Sequence, residues 1–377
     1  MSIYIISGEN SGDLIGAKLI ESLNTLGGEM VVNGIGGPLM TKQGLKSLFP
    51  ISEINIMGFF EIIPHLFRIN QLINNTVDDI IKKGSKILVT IDCPGFTYRV
   101  AQRVKKRNPD IKLVHIVAPS VWAWRPGRAK KYAKLYDHLL TLFPFENKYF
   151  TKVGLDTTCI GHPIFQQKFH KKSIAIRKIF TNDSDTRVIT ITPGSRIGEI
   201  QKHMPIIVDA INQLSLKHRI KVLFVQPNNT LKKCITTFLQ DVRFNFTYTT
   251  DRLKAFAASD CAIAKSGTNT FEIIASGTPM AVGYKVNWLS FYLIKMMIRI
   301  KYACLINIIP NKPIIPEFLQ DDFNKKNLLN IIEKMLSDQN YVNKQLESSH
   351  KVLSSIGFNN TQKPSDIAAK TILKLIR

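Results

Sequence analysis

The densest polar chemistry in the chain is Lys265-Ser266-Gly267-Thr268-Asn269-Thr270-Phe271-Glu272, which follows the apolar run Cys261-Ala262-Ile263-Ala264. A small polar turn between a buried strand and a helix leaves backbone N–H groups at the helix start, a natural seat for phosphate. Glu272 adds an acceptor suited to a ribose diol. Together they point to a nucleotide with a diphosphate, although similar Gly-Ser turns in other proteins bind nothing. A second turn of this kind, Thr192-Pro193-Gly194-Ser195-Arg196, closes another apolar run. Ser195 and the turn supply donors, and the Arg196 guanidinium is a fork suited to phosphate. A charge-assisted contact of that type is worth roughly 1.5–3 kcal/mol.

The N-terminal half carries a different chemistry. Gly8-Glu9-Asn10-Ser11-Gly12-Asp13 follows the first apolar run. Its glycines let backbone approach a ligand closely. It is not G-x-G-x-x-G, and Glu9 and Asp13 would repel a pyrophosphate, so sugar hydroxyls fit better. An ordinary helix N-cap accounts for Ser11 or Asp13, one of them at most. Asp92 ends the very apolar run 87–91 and is followed by Cys93-Pro94-Gly95. Partial burial there raises a carboxyl pKa and suits a general base; the competing role is an N-cap for the next helix. Residues 118–128 hold two of the three tryptophans, Trp122 and Trp124, among prolines and arginines. Such a segment stacks on bases or builds a rigid pocket wall. Two greasy, cationic stretches remain, 54–68 and 288–299. Each is either core or an element that docks on an anionic bilayer or holds acyl chains.

These residues need elements to position them. At 377 residues the chain suggests two domains, because single cores stop growing near ~250–300 residues. Strand-like runs at 2–6, 30–35, 86–91, 112–117 and 138–142 alternate with helical patterns at 13–26, 70–83, 98–106 and 128–135. A second alternation follows a polar, basic stretch at 166–178, with strands at 187–191, 221–225, 261–264 and 280–282 and helices at 200–216, 231–239, 253–258 and 269–275. Residues 366–377 read as a final helix. The pattern predicts two doubly wound parallel sheets, in which ligands bind beyond the carboxyl ends of strands. The expected domains are 1–165 and 185–350, with the segment 355–377 open to packing back on the first. Five scattered cysteines without metal-ligand spacing suit a reducing cytoplasm. No signal peptide and no apolar run of membrane-spanning length is evident. The net charge of +23 implies an anionic partner, though abundant lysine alongside abundant isoleucine also fits compositional drift.

Taken together, the motifs resemble the lipid-A-disaccharide synthase family along nearly the whole chain. They are SGENSGD (7–13), GIGGPLM (34–40), MGFFEIIPHL (57–66), IDCPGF (91–96), HIVAPSVWAWRPGR (115–128), LFPFE (142–146), GHP (161–163), TPGSR (192–196), KSGTNTFEIIASGTPMAV (265–282) and LINIIPNKPIIPEFLQ (305–320). The resemblance implies a GT-B glycosyltransferase: two Rossmann-like domains facing a central cleft. The implied reaction is inverting transfer from UDP-2,3-diacylglucosamine to 2,3-diacylglucosamine 1-phosphate, giving a β-1,6 disaccharide 1-phosphate and UDP. Asp92 is then the base and Glu9 a further active-site carboxylate. Ser195, Arg196, Ser266, Gly267, Thr268, Thr270, Glu272 and, by family position, Asn307 would hold the donor. Glu317 falls in the same block. Ser11, Asp13, Met57, Phe59, Phe60, Ile63, Leu66 and Trp122 would face the acceptor and its acyl chains. Neither a metal nor another cofactor is expected. The protein is expected in the cytoplasm, peripherally on the anionic inner membrane, without nucleic acid, and a homodimer stays open. One departure is Thr97, which stands where the family has asparagine and bears on acceptor positioning beside Asp92. Three other functions compete: an enzyme acting on UDP-N-acetylglucosamine without acyl dependence, a basic nucleic-acid binder, and a noncatalytic membrane-surface protein.

Overall fold

A computed structural model describes residues 2–28, 30–54, 66–225 and 228–376. By contact, the chain divides into two compact units, residues 1–166 with 356–377, and residues 167–355.

The first unit is built from β1 (Ser2–Ser7), α1 (Asn10–Gly27), β2 (Val31–Ile35), α2 (Pro38–Lys42), β3 (Lys46–Ser47), α3 (Leu66–Lys83), β4 (Ile87–Ile91), α4 (Pro94–Arg107), β5 (Lys112–Ile116), α5 (Arg128–Ala133), β6 (His138–Thr141), α6 (Asn147–Thr151) and β7 (Thr157–Cys159). The strands form one parallel sheet in the order β3-β2-β1-β4-β5-β6-β7. Ile3, Tyr4, Ile5 and Ile6 are fully buried, as are Ile87, Leu88, Val89 and Ile91. Central strands of a parallel sheet are covered on both faces, so they read as continuous apolar runs. Helices supply the cover at helical spacing: Ile73, Val77 and Ile80 of α3 and Val100, Ala101 and Val104 of α4 pack with Leu88 and Leu113.

The second unit comprises α7 (Ile174–Lys178), β8 (Arg187–Thr192), α8 (Ile197–Leu214), β9 (Ile220–Val225), α9 (Asn229–Thr236), β10 (Asn245–Thr249), α10 (Arg252–Ala258), β11 (Cys261–Ala264), α11 (Asn269–Ala275), β12 (Met280–Tyr284), α12 (Trp288–Met297), α13 (Leu305–Ile308), β13 (Glu317–Leu319), α14 (Lys325–Ser337) and α15 (Gln339–Ser355). Its sheet is also parallel, ordered β10-β9-β8-β11-β12-β13. The buried stripe of α8 (Ile200, Met204, Ile207, Ile211, Leu214) lies on one core with Ile189, Val222 and Phe224. After α15 the chain returns to the first unit, where α16 (Pro364–Ile376) packs along α1.

The expected pair of parallel α/β sheets is present. The strands that the apolar runs did not announce are β3, β7, β10 and β13, all at or beside sheet edges. Three of them span two or three residues, too short for a hydrophobic run, and β10 carries Asn245, Thr247 and Thr249 between its aromatics. Helix α1 starts at Asn10, so Ser11, Gly12 and Asp13 form its first turn rather than a loop. Among the described residues no helix is long and apolar enough to cross a membrane.

Candidate active site

In each sheet the strand order reverses once, between β1 and β4 in the first unit and between β8 and β11 in the second. At such a switch point neighbouring connections leave in opposite directions and open a crevice at the strand C-termini. Ser7 of β1 pairs with Ile91 of β4, so the residues that follow, Glu9 and Asp92, emerge side by side. A Cβ built on Gly8 would lie 2.4 Å from Cys93 Sγ, so only glycine permits this approach. Asp92 and Cys93 both have positive φ, 50° and 47°. Such non-glycine conformations cost about 1–3 kcal/mol each and persist only where the surroundings enforce them. Here the Thr97 hydroxyl donates to the carbonyls of Asp92 (2.7 Å) and Cys93 (3.0 Å), and the Asp92 N–H donates to Ile116 O (3.0 Å). The N-cap of α4 is Cys93, without a side-chain cap bond, so capping does not occupy the Asp92 carboxylate.

Both carboxyl groups are held above their ordinary range. Burial does this for Asp92, partly offset by the Cys93 N–H. Burial and then the Asp92 charge do it for Glu9. The Cys93 thiol, partly buried and facing both charges, is pushed up to about 12 by that burial and then by Glu9 and Asp92, and stays protonated. Behind the elbow, His115 is fully buried and held neutral by that burial, its pKa brought down to about 3. Its Nδ1 lies 2.7 Å from Thr90 Oγ1.

The remaining N-terminal expectations divide. Ser11 is exposed on the first turn of α1. Asp13 is buried, and its carboxylate accepts the N–H groups of Gly37 (2.8 Å), Leu39 (2.9 Å) and Met40 (3.0 Å), which fixes the start of α2. Trp122 is partly buried and its indole donates to Glu146 Oε1 at 3.2 Å, with the Phe145 ring edge-on at 5.4 Å. Glu146 also accepts from Leu142 N and Phe143 N, and burial pushes its carboxyl up to about 7. Trp124 is engaged by the Arg125 and Arg128 guanidinium groups, 4.6 and 4.9 Å from its ring centre. These contacts brace the segment from within. Met57, Phe59, Phe60 and Ile63 lie outside the described residues, and so does the side chain of Leu66, which opens α3.

The second switch point joins the two phosphate-suited turns. Lys265 N donates to Thr192 O (3.0 Å), and Asn269 Nδ2 donates to Thr192 Oγ1 (2.8 Å). Gly194 has φ 146°, and a Cβ there would meet the Glu199 side chain at 2.8 Å. Glu199, in the first turn of α8, accepts from Ser195 N (3.0 Å) and pairs with Lys265 Nζ (2.9 Å), tying one turn to the other. Burial opposes its ionisation, but Lys265 and the Ser195 N–H outweigh that and hold its carboxyl below the usual range. His203 completes the frame: Nδ1 lies 2.6 Å from Pro193 O, and Nε2 accepts from Lys285 N at 2.9 Å. That pair of bonds specifies the neutral tautomer with the proton on Nδ1. Glu199 and His203 went unremarked in the sequence, where a carboxylate four residues past a Gly-Ser turn was the available signal. Ser195, Arg196 and Thr268 are exposed along this rim, whereas Thr270 is buried with its hydroxyl on Gly267 O. Ser266 Oγ donates to Ala303 O (2.7 Å).

Glu272 is buried and bonded to Arg252 Nε (2.8 and 2.9 Å) and Gln167 Nε2 (2.7 Å). Asn307 is buried in a network of its own loop. Its amide donates to Ile315 O and Glu317 Oε1 (both 2.7 Å) and accepts from Ile314 N and Ile315 N, so every hydrogen-bonding position is filled within the protein. Glu317 in turn accepts from Ala303 N and Cys304 N. The two residues fix the 303–317 loop, and through Ala303 they support the Ser266 turn.

The sequence profile described as lipid-A-disaccharide synthetase matches residues 3–371. A lipid-A-disaccharide synthase from Rickettsia bellii (strain OSU 85-389) is 51% identical over 373 residues, covering 98% of both chains. The synthase from Rickettsia canadensis (strain McKiel) is 49% identical over 373 residues, covering 98% of this chain and 96% of its own. In fold, the chain is similar to UDP-GlcNAc 2-epimerase from Neisseria meningitidis bound to UDP-GlcNAc, with TM-score 0.63 at 14% identity, covering 99% and 100% of the two chains. It is likewise similar to MurG from Acinetobacter baumannii, with TM-score 0.58 at 13% identity, covering 99% of each. With a profile match across almost its full length and relatives at half identity, the chain belongs to the lipid-A-disaccharide synthetase family.

Proposed function

We propose that this chain transfers 2,3-diacylglucosamine from its UDP derivative to 2,3-diacylglucosamine 1-phosphate, forming the β-1,6-linked lipid A disaccharide 1-phosphate and UDP. Family membership supports the reaction class. The observation that carries the assignment of roles is that the sequence motifs occupy both topological switch points, carboxylates in the first unit and phosphate-suited turns in the second.

Asp92 acts as the base. Its carboxylate takes the proton from the acceptor's 6-hydroxyl as that oxygen bonds to the donor's anomeric carbon, and the bond from that carbon to the diphosphate oxygen breaks. One displacement inverts the α-linked donor to the β product. A carboxylate whose pKa burial raises above its ordinary range is a stronger base than a solvated one. Glu9 beside it accepts a hydrogen bond from the acceptor sugar. Arg196 and the N–H groups presented by Ser195 and residues 266–268 hold the diphosphate and stabilise the charge that develops on it. The ribose diol takes the place of Gln167 on Glu272, with Arg252 keeping that carboxylate compensated. Trp122 and the 57–66 stretch face the acyl chains. The enzyme works on the cytoplasmic side of the inner membrane.

The test is incubation with both acylated substrates and analysis of product by mass and anomeric configuration. A β-1,6 tetraacyl disaccharide 1-phosphate with stoichiometric UDP is expected. No disaccharide, or undiminished turnover of UDP-N-acetylglucosamine lacking acyl chains, overturns the assignment and favours an acyl-independent enzyme.

A further inference from the structure

We infer that residues 288–301 of the second unit form a bilayer-docking element whose partner is an anionic phospholipid surface. This deepens the proposed reaction, whose substrates are lipids, by naming a surface that brings the nucleotide-site unit to them.

Trp288, Met296, Met297 and Ile298 are 69%, 76%, 52% and 37% exposed, within one stretch of eleven residues. Lys295, Arg299 and Lys301 are exposed in the same stretch. From residue 273 to 316 the sequence contains five lysines and arginines and no aspartate or glutamate. Ion pairs such as Lys18–Glu21, Lys217–Glu333 and Arg219–Asp183 offset positive charge elsewhere among the described residues, whereas this segment holds no acid of its own. Exposed tryptophan and methionine cost free energy in water, and a contiguous patch of them marks a contact surface. Lysine is depleted in the cores of protein interfaces. An indole, thioethers and a cation on one short helix, with two more cations just past its end, instead suit the headgroup–acyl boundary of an anionic leaflet.

The element is anchored at both ends. At its start, Gln320 Oε1 accepts from Val286 N (2.7 Å), and Gln320 Nε2 donates to Val286 O. At its end, Glu317 holds Ala303 N and Cys304 N, while Ala303 O accepts from Ser266 Oγ in the proposed phosphate turn. Docking is thus a few residues removed from the proposed donor site, a placement suited to substrates that keep their acyl chains in the leaflet.

The full chain is sedimented with phosphatidylcholine vesicles, with and without phosphatidylglycerol. Wild type is expected to partition onto the anionic vesicles, less so at high salt. The combined change Trp288→Ser, Met296→Ser, Met297→Ser is expected to abolish most of that partitioning. Lys295→Glu with Arg299→Glu should lower it by about tenfold or more, since each cation near such a surface is worth roughly a factor of five. Trp288 emission should shift to the blue on vesicle binding, and Trp288→Phe should lose the shift. UDP affinity by calorimetry should be unchanged in every variant, reporting a folded second unit. Partitioning unaltered by either set of changes, or a variant effect confined to self-association in sedimentation without lipid, overturns the inference. Transfer measured in detergent micelles separates the two ideas: vesicle binding without transfer sinks the reaction and leaves the docking element standing.

Discussion

Asp92 combines a destabilising environment with the chemistry the proposed reaction needs. Because burial raises its folded pKa above the unfolded value, the folded state takes up its proton at higher pH than the unfolded chain does. Stability contributed by this group therefore falls as pH rises through that window. Asp92→Asn removes the charge, and asparagine tolerates the left-handed backbone at φ 50° better than most residues. The expected outcome is a loss of about 10²–10⁴-fold in transfer, with unchanged UDP affinity and a higher Tm at neutral pH. That thermal gain should vanish below the ordinary carboxylate range. Wild-type activity should decline on the acid side with a midpoint above that range, because the base must be ionised. Retention of more than about a tenth of the activity removes Asp92 from the role. Across the other sheet, Arg196→Ala should weaken UDP binding by roughly 1.5–3 kcal/mol, and calorimetry giving equal affinities would falsify the contact. Residue types at the strand ends were legible because polar side chains stand out after apolar runs. What those side chains bond to was not. The partners of Asp13 lie more than twenty residues away, and those of Asn307 depend on how the 303–317 loop folds back.

At the scale of elements, the Asp92 elbow depends on how closely β1 and β4 approach at their ends. Gly8 is not itself in a left-handed conformation, so alanine there is opposed only by contact, with Cys93 Sγ at 2.4 Å and Cys93 Cβ at 2.6 Å. Gly8→Ala should push the elbow away. A drop in kcat is expected, with a stability loss of about 1–3 kcal/mol for overpacking. Cys93→Gly removes both clashing atoms and suits φ 47°. The double variant should therefore recover activity relative to Gly8→Ala alone. Equal rates for the single and double variants, or a wild-type rate for Gly8→Ala, would show that the elbow is set elsewhere. Long buried strands were readable because burial on both faces demands unbroken apolar sequence. Strands β3, β7 and β13 were not, since two or three residues cannot display a period. The helices of 325–355 are amphipathic, with buried positions such as Leu328, Ile332, Met335, Val352 and Leu353 at helical spacing, a period legible in the sequence itself.

At the scale of the whole molecule, repeated strand–helix alternation announces two sheets, but alternation cannot say that the first unit is discontinuous. Helix α16 belongs to it: Ala368, Ala369 and Ile372 are buried, and the buried Ser22 hydroxyl of α1 donates to Asp366 Oδ1 (2.7 Å) and Ser365 Oγ (2.9 Å). A Cβ on Gly27 would touch Leu373, so the two helices lie close to the end of α1. Removing residues 356–377 would therefore uncover one side of α1 and leave Ser22 without its partners. Several buried apolar side chains at ~1.5–3 kcal/mol each amount to a large share of the ~5–15 kcal/mol that holds a domain folded. The truncated chain is expected to lose the first unit's structure while the second, whose core residues all lie within 167–355, stays folded. The tryptophans separate the units, with Trp122 and Trp124 in the first and Trp288 in the second. Near-ultraviolet circular dichroism of a Trp288→Phe background should then lose its tryptophan signal on truncation, calorimetry should still detect UDP binding, and transfer should disappear because the proposed base resides in the unit that has melted. A truncated protein that kept the Trp122 and Trp124 signal, or one that lost UDP affinity together with it, would mean that α16 is dispensable to the first sheet or that the two units fold as one.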